Sequence, residues 1–378
     1  MKTNSKPAST DANNVVACLG GDKTVLECRS APAPAAGEIV LRLRVVGLCG
    51  TDLFKLTTGS QAQGTVLGHE VVGDIIALGS GVTKFSLGDR IAVPHHVPCG
   101  DCVYCLRGNE TMCETFRENL MVPGGFSDTI LIQSRAVEMA ARVLPEGISD
   151  DAAVFMEPAA CVLRGVHRSG ITNDGTAVVQ GAGSMGLLHL LVLKAALPGV
   201  KVVMIDPVAE RRALALKLGA SKAAAPGDEA QDAVSAVSGG DGSGSGSGNG
   251  ADAVFDTVGG NGPLNAALAL TRHGGTVVLF AHAPEGQNAS LDLNELFKFE
   301  RRIIGTYSGA LKEQADIFQL IVDGALDPTP LATHKMPLDD FEHGVSLSRN
   351  QQALKVLFTP SRQFSESEAP TKMAVERE

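Results

Sequence analysis

The chain has 378 residues, well above the ~150 of a usual domain, and its 44% hydrophobic content is enough for more than one core. Its 42 acidic against 32 basic residues leave a formal charge of −10, which argues against a nucleic-acid binder with a broad basic surface and against tight docking on anionic lipid. No uncharged apolar run approaches the ~18 residues of a membrane span, and eight cysteines are too sparse for a disulfide scaffold.

Residues 1–14 are polar, lack the apolar stretch of a signal peptide, and read as a disordered leader. With no export signal the thiols are expected to stay reduced in a cytoplasm, where clustered cysteines are more often metal ligands than disulfides. From Val15 to about Glu138, short apolar runs with β-branched residues alternate with Gly and Pro turns, as in 38–46 and 71–78. This half reads as mostly β. Within it, Gly47-Leu48-Cys49-Gly50-Thr51-Asp52 and Gly68-His69-Glu70 bring a Cys, a His and a Glu from separate segments. These are ligand types of a catalytic zinc, which keeps one position open. Each is weak alone, because a single Cys in an apolar run usually packs as a small hydrophobe.

Cys99, Cys102, Cys105 and Cys113 follow with C-x2-C-x2-C-x7-C spacing. Four thiolates this close can surround one tetrahedral Zn²⁺ and leave no open position, so this metal is structural.

From Gly170 the texture changes. Strand-like 177–180, helix-like 184–196, strand-like 201–205 and helix-like 209–218 alternate, and further strand candidates stand at 253–256, 276–281 and 302–305. This is the βαβ rhythm of a parallel sheet covered by helices. Gly181-Ala182-Gly183-Ser184-Met185-Gly186 closes the first of these strands as G-x-G-x-x-G and opens a helix that would face a pyrophosphate. Asp206 ends the next strand, where an acid bonds ribose hydroxyls and repels a 2′-phosphate, so NAD is favoured over NADP. Arg211 and Arg212 on the following helix weaken that preference, or are solvated helix charges. Residues 238–250 contain seven Gly and nothing apolar, and read as a flexible loop inside the second domain. His95, His96, His167, His273 and His282 have no motif context and read as satisfied surface or core histidines. Residues 361–378 form a polar tail.

Taken in order across roughly 15–360, these features resemble the zinc-dependent medium-chain dehydrogenase/reductase family, its polyol and threonine dehydrogenase branch in particular. Gly88-Asp89-Arg90, Gly124-Gly125-Phe126 and Glu157-Pro158 also fit the pattern. The resemblance implies an α/β chain: a mostly-β GroES-like catalytic domain over 15–165 and 306–360, and a Rossmann doubly wound NAD-binding domain over 166–305. It implies two zincs per chain. Cys49 and His69 would ligate the catalytic ion, with Glu70 a ligand or exchangeable neighbour and Glu157 a further ligand, direct or through water. Cys161, one turn beyond Glu157, is the runner-up, and its plainer role is packing. Thr51 would take the substrate proton and Asp52 would orient His69. Ser184 and Met185 join the glycines at the cofactor, Val258 lines its far side, and Lys355 reaches its pyrophosphate. The implied reaction is reversible oxidation of a secondary alcohol (a polyol, sugar alcohol or hydroxy amino acid) to its ketone, with the nicotinamide held in the cleft between the two domains. The implied assembly is a homodimer or homotetramer, with no nucleic acid or membrane partner. One departure stands out: Phe54 occupies a position where members usually carry a proton-relaying His. Two alternatives are an NADPH-dependent carbonyl reductase of the same fold and a non-catalytic dinucleotide-binding protein.

Overall fold

The computed structural model describes residues 13–20, 23–239, 249–283 and 286–362, and these divide into two compact units. The first takes 1–97, 118–154 and 332–378; the second takes 98–117 and 155–331. Most of the leader, the Gly/Ser loop and the C-terminal tail lie outside the described residues.

In chain order the first unit opens with the antiparallel hairpin β1 (Asn13–Leu19) and β2 (Thr24–Ser30). Next come β3 (Ile39–Gly47), β4 (Glu70–Leu78), β5 (Arg90–Val93), β6 (Met121–Val122), β7 (Thr129–Ile132) and β8 (Arg142–Val143). The second unit supplies β9 (Thr176–Gln180), β10 (Lys201–Ile205), β11 (Lys222–Ala224), β12 (Ala251–Asp256), β13 (Thr271–Leu279) and β14 (Arg302–Gly305). The chain then returns to the first unit with β15 (Ala332–Pro337) and β16 (Lys355–Thr359).

In the first unit, β15, β16, β3, β4, β5 and β8 lie side by side, with β7 also paired to β3 and β6 to β7. All of these pairings are antiparallel except β15 with β16. The buried sides of Ile39, Leu41, Leu43, Ile75, Ile91 and Ile130, each almost without exposure, supply the core. Removing such branched side chains from water is what holds a sheet of this kind together.

The second unit is a six-stranded parallel sheet in the order β11-β10-β9-β12-β13-β14. β9 is buried at every residue, as a central parallel strand covered on both faces must be. Strand order runs outward in opposite directions from β9 and β12, so the switch point, where such folds bind ligands, lies at their carboxyl ends.

The unit boundaries differ from those read in the sequence. The four-Cys segment and the helix Met156–Ser169 go with the parallel sheet, and the chain rejoins the first unit at Ala332 rather than at 306. The helix Leu311–Val322 packs on Met156–Ser169. Arg164, almost fully buried, also ties that helix to the four-Cys segment: it donates to Gly108 O at 3.3 Å and Glu313 at 3.4 Å and lies 3.7 Å from Glu110. At the other end, the buried Ser361 donates through N–H and hydroxyl to Asp128 at 2.7 and 2.6 Å.

Candidate active site

The last residue before the helix Gly50–Thr58 is Cys49, which caps it through sulfur: Thr51 N–H points at Sγ from 3.5 Å. Asp52 closes the reciprocal bond, its Oδ2 accepting from Cys49 N–H at 3.1 Å. This is a capping box with a thiol in the usual hydroxyl position. It fixes the sulfur at the positive end of the helix dipole, which favours an anionic ligand. Asp52 Oδ1 accepts from Gly68 N–H at 3.3 Å and stands 3.4 Å from His69 Nδ1, which leaves Nε2 as the free ligand nitrogen. Burial works to raise the Asp52 pKa, but His69 and the two N–H donors hold it below the ordinary value. Burial likewise opposes a charge on His69, yet Asp52 and Cys49 keep its pKa well above the usual imidazole value. The aspartate therefore faces the Nδ1 side of the His69 ring.

Glu70, the first residue of β4 and opposite Gly47 of β3, is fully buried. A Cβ on Gly47 would lie 2.0 Å from Glu70 Oε2, so only glycine there admits the carboxylate. The ligand atoms of Cys49, His69 and Glu70 all fall within 4.8 Å of one another. A thiolate, an imidazole and a carboxylate converging in this way fit a zinc that keeps one position open.

Lys355 meets the Glu70 carboxylate from β16. Its Nζ donates to both Glu70 oxygens at 2.7 Å and to Leu48 O at 3.3 Å, with only 3% of the residue exposed. A buried ammonium stays charged only beside a counter-charge, and Glu70 supplies it. Lys355 thus pairs with the carboxylate of the Cys49–His69–Glu70 group in its own unit.

Glu157 lies in the second unit, on the helix Met156–Ser169, and accepts from Cys161 Sγ at 3.6 Å. The three-residue group of the first unit forms without it. Phe54 is 43% exposed on the helix that Cys49 caps.

Cys99, Cys102, Cys105 and Cys113 are gathered in the second unit, with Sγ–Sγ separations of 3.5, 3.5 and 3.8 Å for 102–105, 99–113 and 99–105. Four sulfurs ~2.3 Å from a shared tetrahedral zinc stand ~3.8 Å apart, so the donor set fits that ion.

At the switch point of the parallel sheet, the helix Ser184–Ala196 starts from Gly183. A Cβ on Gly183 would meet nothing within 4 Å, whereas one on Gly186 would stand 1.8 Å from Gly181 O. The third glycine thus allows helix and strand to touch, and the second leaves open space over the helix N-terminus, a cradle suited to a phosphate. Asp206 is buried below this loop, its carboxylate accepting from Ala182 N–H at 2.7 Å and Val208 N–H at 2.8 Å. Arg212 turns back onto Asp206 O and Pro207 O at 2.8 and 2.9 Å, while Arg211 Nη1 is 3.9 Å from Asp206 Oδ2. After β12, Thr257 hydroxyl donates to Gln180 O at 2.6 Å and Val258 N–H to Asp256 at 3.0 Å, which fixes the exposed Val258 beside the glycine loop's strand.

Among the histidines without motif context, His167 bonds Glu313 at 3.1 Å and His273 stacks on Phe299 with centroids 4.2 Å apart. His95 differs. Its ring lies 4.5 Å from that of His69 and 3.6 Å from that of His96, and its Nδ1 is buried without a hydrogen-bond partner. Burial, with His69, His96 and Lys55 nearby, lowers its pKa well below the usual value, so the ring is neutral. The sequence signal was its place just after a strand that ends beside the metal group, and that placement needs the fold.

Residues 35–141 match the alcohol dehydrogenase GroES-like domain and residues 175–323 match the zinc-binding dehydrogenase domain. The L-galactonate-5-dehydrogenase of Escherichia coli K12 is 30% identical over 332 residues, covering 86% of this chain and 92% of that protein. The L-threonine 3-dehydrogenase of Yersinia enterocolitica is 28% identical over 337 residues, covering 87% and 94%. A zinc-binding dehydrogenase of Sinorhizobium meliloti 1021, solved with NADP bound, superposes with TM-score 0.80 at 25% identity, covering 93% of this chain and 100% of that one. The chain belongs to the zinc-type medium-chain alcohol dehydrogenase family, on its polyol and threonine dehydrogenase-like side, and is an oxidoreductase that interconverts an alcohol and a ketone.

Proposed function

We propose that this protein oxidises a secondary alcohol carrying further polar groups, a polyol, a sugar acid or a hydroxy amino acid, with NAD as acceptor. The observation that carries the reading is the convergence of Cys49, His69 and Glu70, separate from the four-Cys set. When bound, a zinc at the first group supplies a Lewis acid for the alcohol oxygen, and the nicotinamide supplies the hydride acceptor. The chain's own residues do the rest. Asp52 holds His69 in the tautomer whose Nε2 ligates. Lys355 balances the Glu70 charge, so the group carries less net negative charge towards the substrate than its ligands alone would give. Thr51, next to Cys49, is assigned the hydroxyl that accepts the substrate proton. Phe54 cannot titrate, so the proton leaves Thr51 by water or by the cofactor ribose. Glu157 is retained as a candidate further ligand.

Asp206 supports NAD over NADP. A carboxylate held at the end of the second parallel strand suits ribose hydroxyl donors, and a 2′-phosphate beside it would meet a like charge. Arg212, turned back onto backbone oxygens, is spent. The relatives act, by their names, on a sugar acid and a β-hydroxy amino acid, which supports a substrate of that polarity. A cytoplasmic setting and assembly as a dimer or tetramer complete the proposal. Among the described residues no helix is long and apolar enough to cross a membrane.

The test is a screen of NADH and NADPH formation over polyols, sugar acids, threonine and simple secondary alcohols. The proposal expects turnover of at least one polar secondary alcohol, with kcat/KM higher for NAD. Turnover with NADP alone would move the reading to the carbonyl reductase alternative.

A further inference from the structure

β16 brings Lys355 to Glu70, yet its ladder is least regular at that residue. Towards β3 the register pairs are Leu357 with Gly47 and Phe358 with Val46, and neither reaches Lys355. Towards β15 the register shifts between Ala332, opposite Lys355, and His334. Lys355 opens the strand, and a slip of one residue would turn its side chain to the other face. Two residues past the far end of β16 stands Ser361, 1% exposed, and its partner Asp128 is 0% exposed. The Ser361 N–H and hydroxyl donate to the two Asp128 carboxylate oxygens at 2.7 and 2.6 Å. Burial pushes the Asp128 pKa up, and the two Ser361 donors work against that rise. Hydrogen bonds to a carboxylate are the strong ones, so this contact is a firm anchor for the strand.

Asp128 also ends the segment that backs His69. Gly125 N–H donates to Gly68 O at 2.9 Å and Phe126 N–H to Leu67 O at 3.0 Å. The Phe126 ring meets that of Phe358 on β16 edge-on, with centroids 5.8 Å apart. Residues 67–70, residues 125–128, Ser361 and β16 thus close a ring within the first unit, joined on one side by Lys355 and Glu70. We propose that Asp128 and Ser361 are positioning residues, whose contact holds β16 in the register that sets the Lys355 ammonium on Glu70. Neither belongs to the Cys49–His69–Glu70 group, and both act on it through the strand. The catalytic consequence rests on the dehydrogenase reading above; the placement of Lys355 does not.

The Lys355 ammonium reports the contact directly. In the full chain labelled with ¹⁵N-lysine, and with the Cys49–His69–Glu70 group free of metal, its Nζ protons should exchange slowly with water, unlike those of exposed lysines. Lys355→Arg assigns the resonance by removing it. Ser361→Ala should speed the exchange by about 10-fold or more, the worth of one lost bond to a charged group. Asp128→Ala removes the acceptor and should exceed this. Ser361→Thr keeps both donors and should hold the wild-type rate. Arg362→Ala strips only the exposed pair with Asp340 and should change nothing. An unchanged rate in Ser361→Ala, even with a lower urea midpoint, makes the contact ordinary packing and overturns the proposal. Equal acceleration in Arg362→Ala, or a wild-type ammonium that exchanges like an exposed one, overturns it as well. In the zinc-loaded protein, turnover of a polar secondary alcohol with NAD should fall by a similar factor in Ser361→Ala and be normal in Ser361→Thr. Absence of turnover in the wild-type protein would sink the dehydrogenase reading and leave the exchange rates to judge the contact alone.

Discussion

Replacing Lys355 by Met should be among the most damaging single changes in the first unit. Lys355 and Glu70 are 3% and 0% exposed, and Nζ stands 2.7 Å from each carboxylate oxygen. At an effective dielectric of about 20, opposite unit charges at that separation attract by about 6 kcal/mol. Desolvation offsets much of this in the intact pair, but the variant keeps the buried carboxylate and loses its counter-charge. Breaking a buried pair from one side typically costs about 3–5 kcal/mol, and Lys355→Met should fall in that range. The chain has no Trp, so urea unfolding is best followed by circular dichroism, with the Cys49–His69–Glu70 group kept free of metal so that no ion balances Glu70. The double variant Glu70→Gln/Lys355→Met removes the stranded charge and should recover much of the loss. A single-variant cost below about 1 kcal/mol, or a double variant no better than the single, would refute the view that Lys355 serves as the counter-charge of Glu70.

Three further outcomes follow from the same geometry. His189, fully buried between Phe255 and Phe280, has its pKa lowered to about 4 by burial, against one bond to Met185 O. A depressed base makes the unfolded state the stronger proton binder, so stability is full above pH 6.5 and falls as pH drops towards 4, by about 3 kcal/mol. His189→Phe should flatten that stretch of the urea-midpoint profile, and an unchanged slope would contradict the assignment. Arg164→Met should speed zinc loss from the four-Cys set to a chromogenic chelator by about 10-fold or more, because the guanidinium that anchors Gly108 and Glu110 is gone. Asp206→Ala should cut kcat/KM for NAD by about 10–100-fold and narrow the gap to NADP, since both a ribose acceptor and the repulsion of a 2′-phosphate disappear.

The parts that local spacing dictates were legible in the sequence. Helix Ser184–Ala196 and strands β10 and β14 fall where the reading put them, because Gly and apolar runs mark both their ends. The four cysteines could be grouped because the short loop that joins them can hardly place them apart. What sequence could not show is pairing between distant segments. Lys355 lies 285 residues from Glu70, and no pattern in Ala353-Leu354-Lys355 reveals that β16 sets its ammonium on that carboxylate. Nor does spacing show that Arg164 ties the helix Met156–Ser169 to the four-Cys segment across 56 residues. His95 reads as an ordinary histidine until β5 is known to end against His69.

The central claim is that Cys49, His69 and Glu70 hold a catalytic zinc distinct from the four-Cys one. Cys49→Ser in the full chain, with zinc counted per chain and alcohol-dependent NADH formation measured on the same sample, tests it most directly. The account predicts two zincs in the wild-type protein and one in the variant, with NADH formation lost and the four-Cys ion retained. Two zincs in the variant, or NADH formation at the wild-type rate, would contradict it.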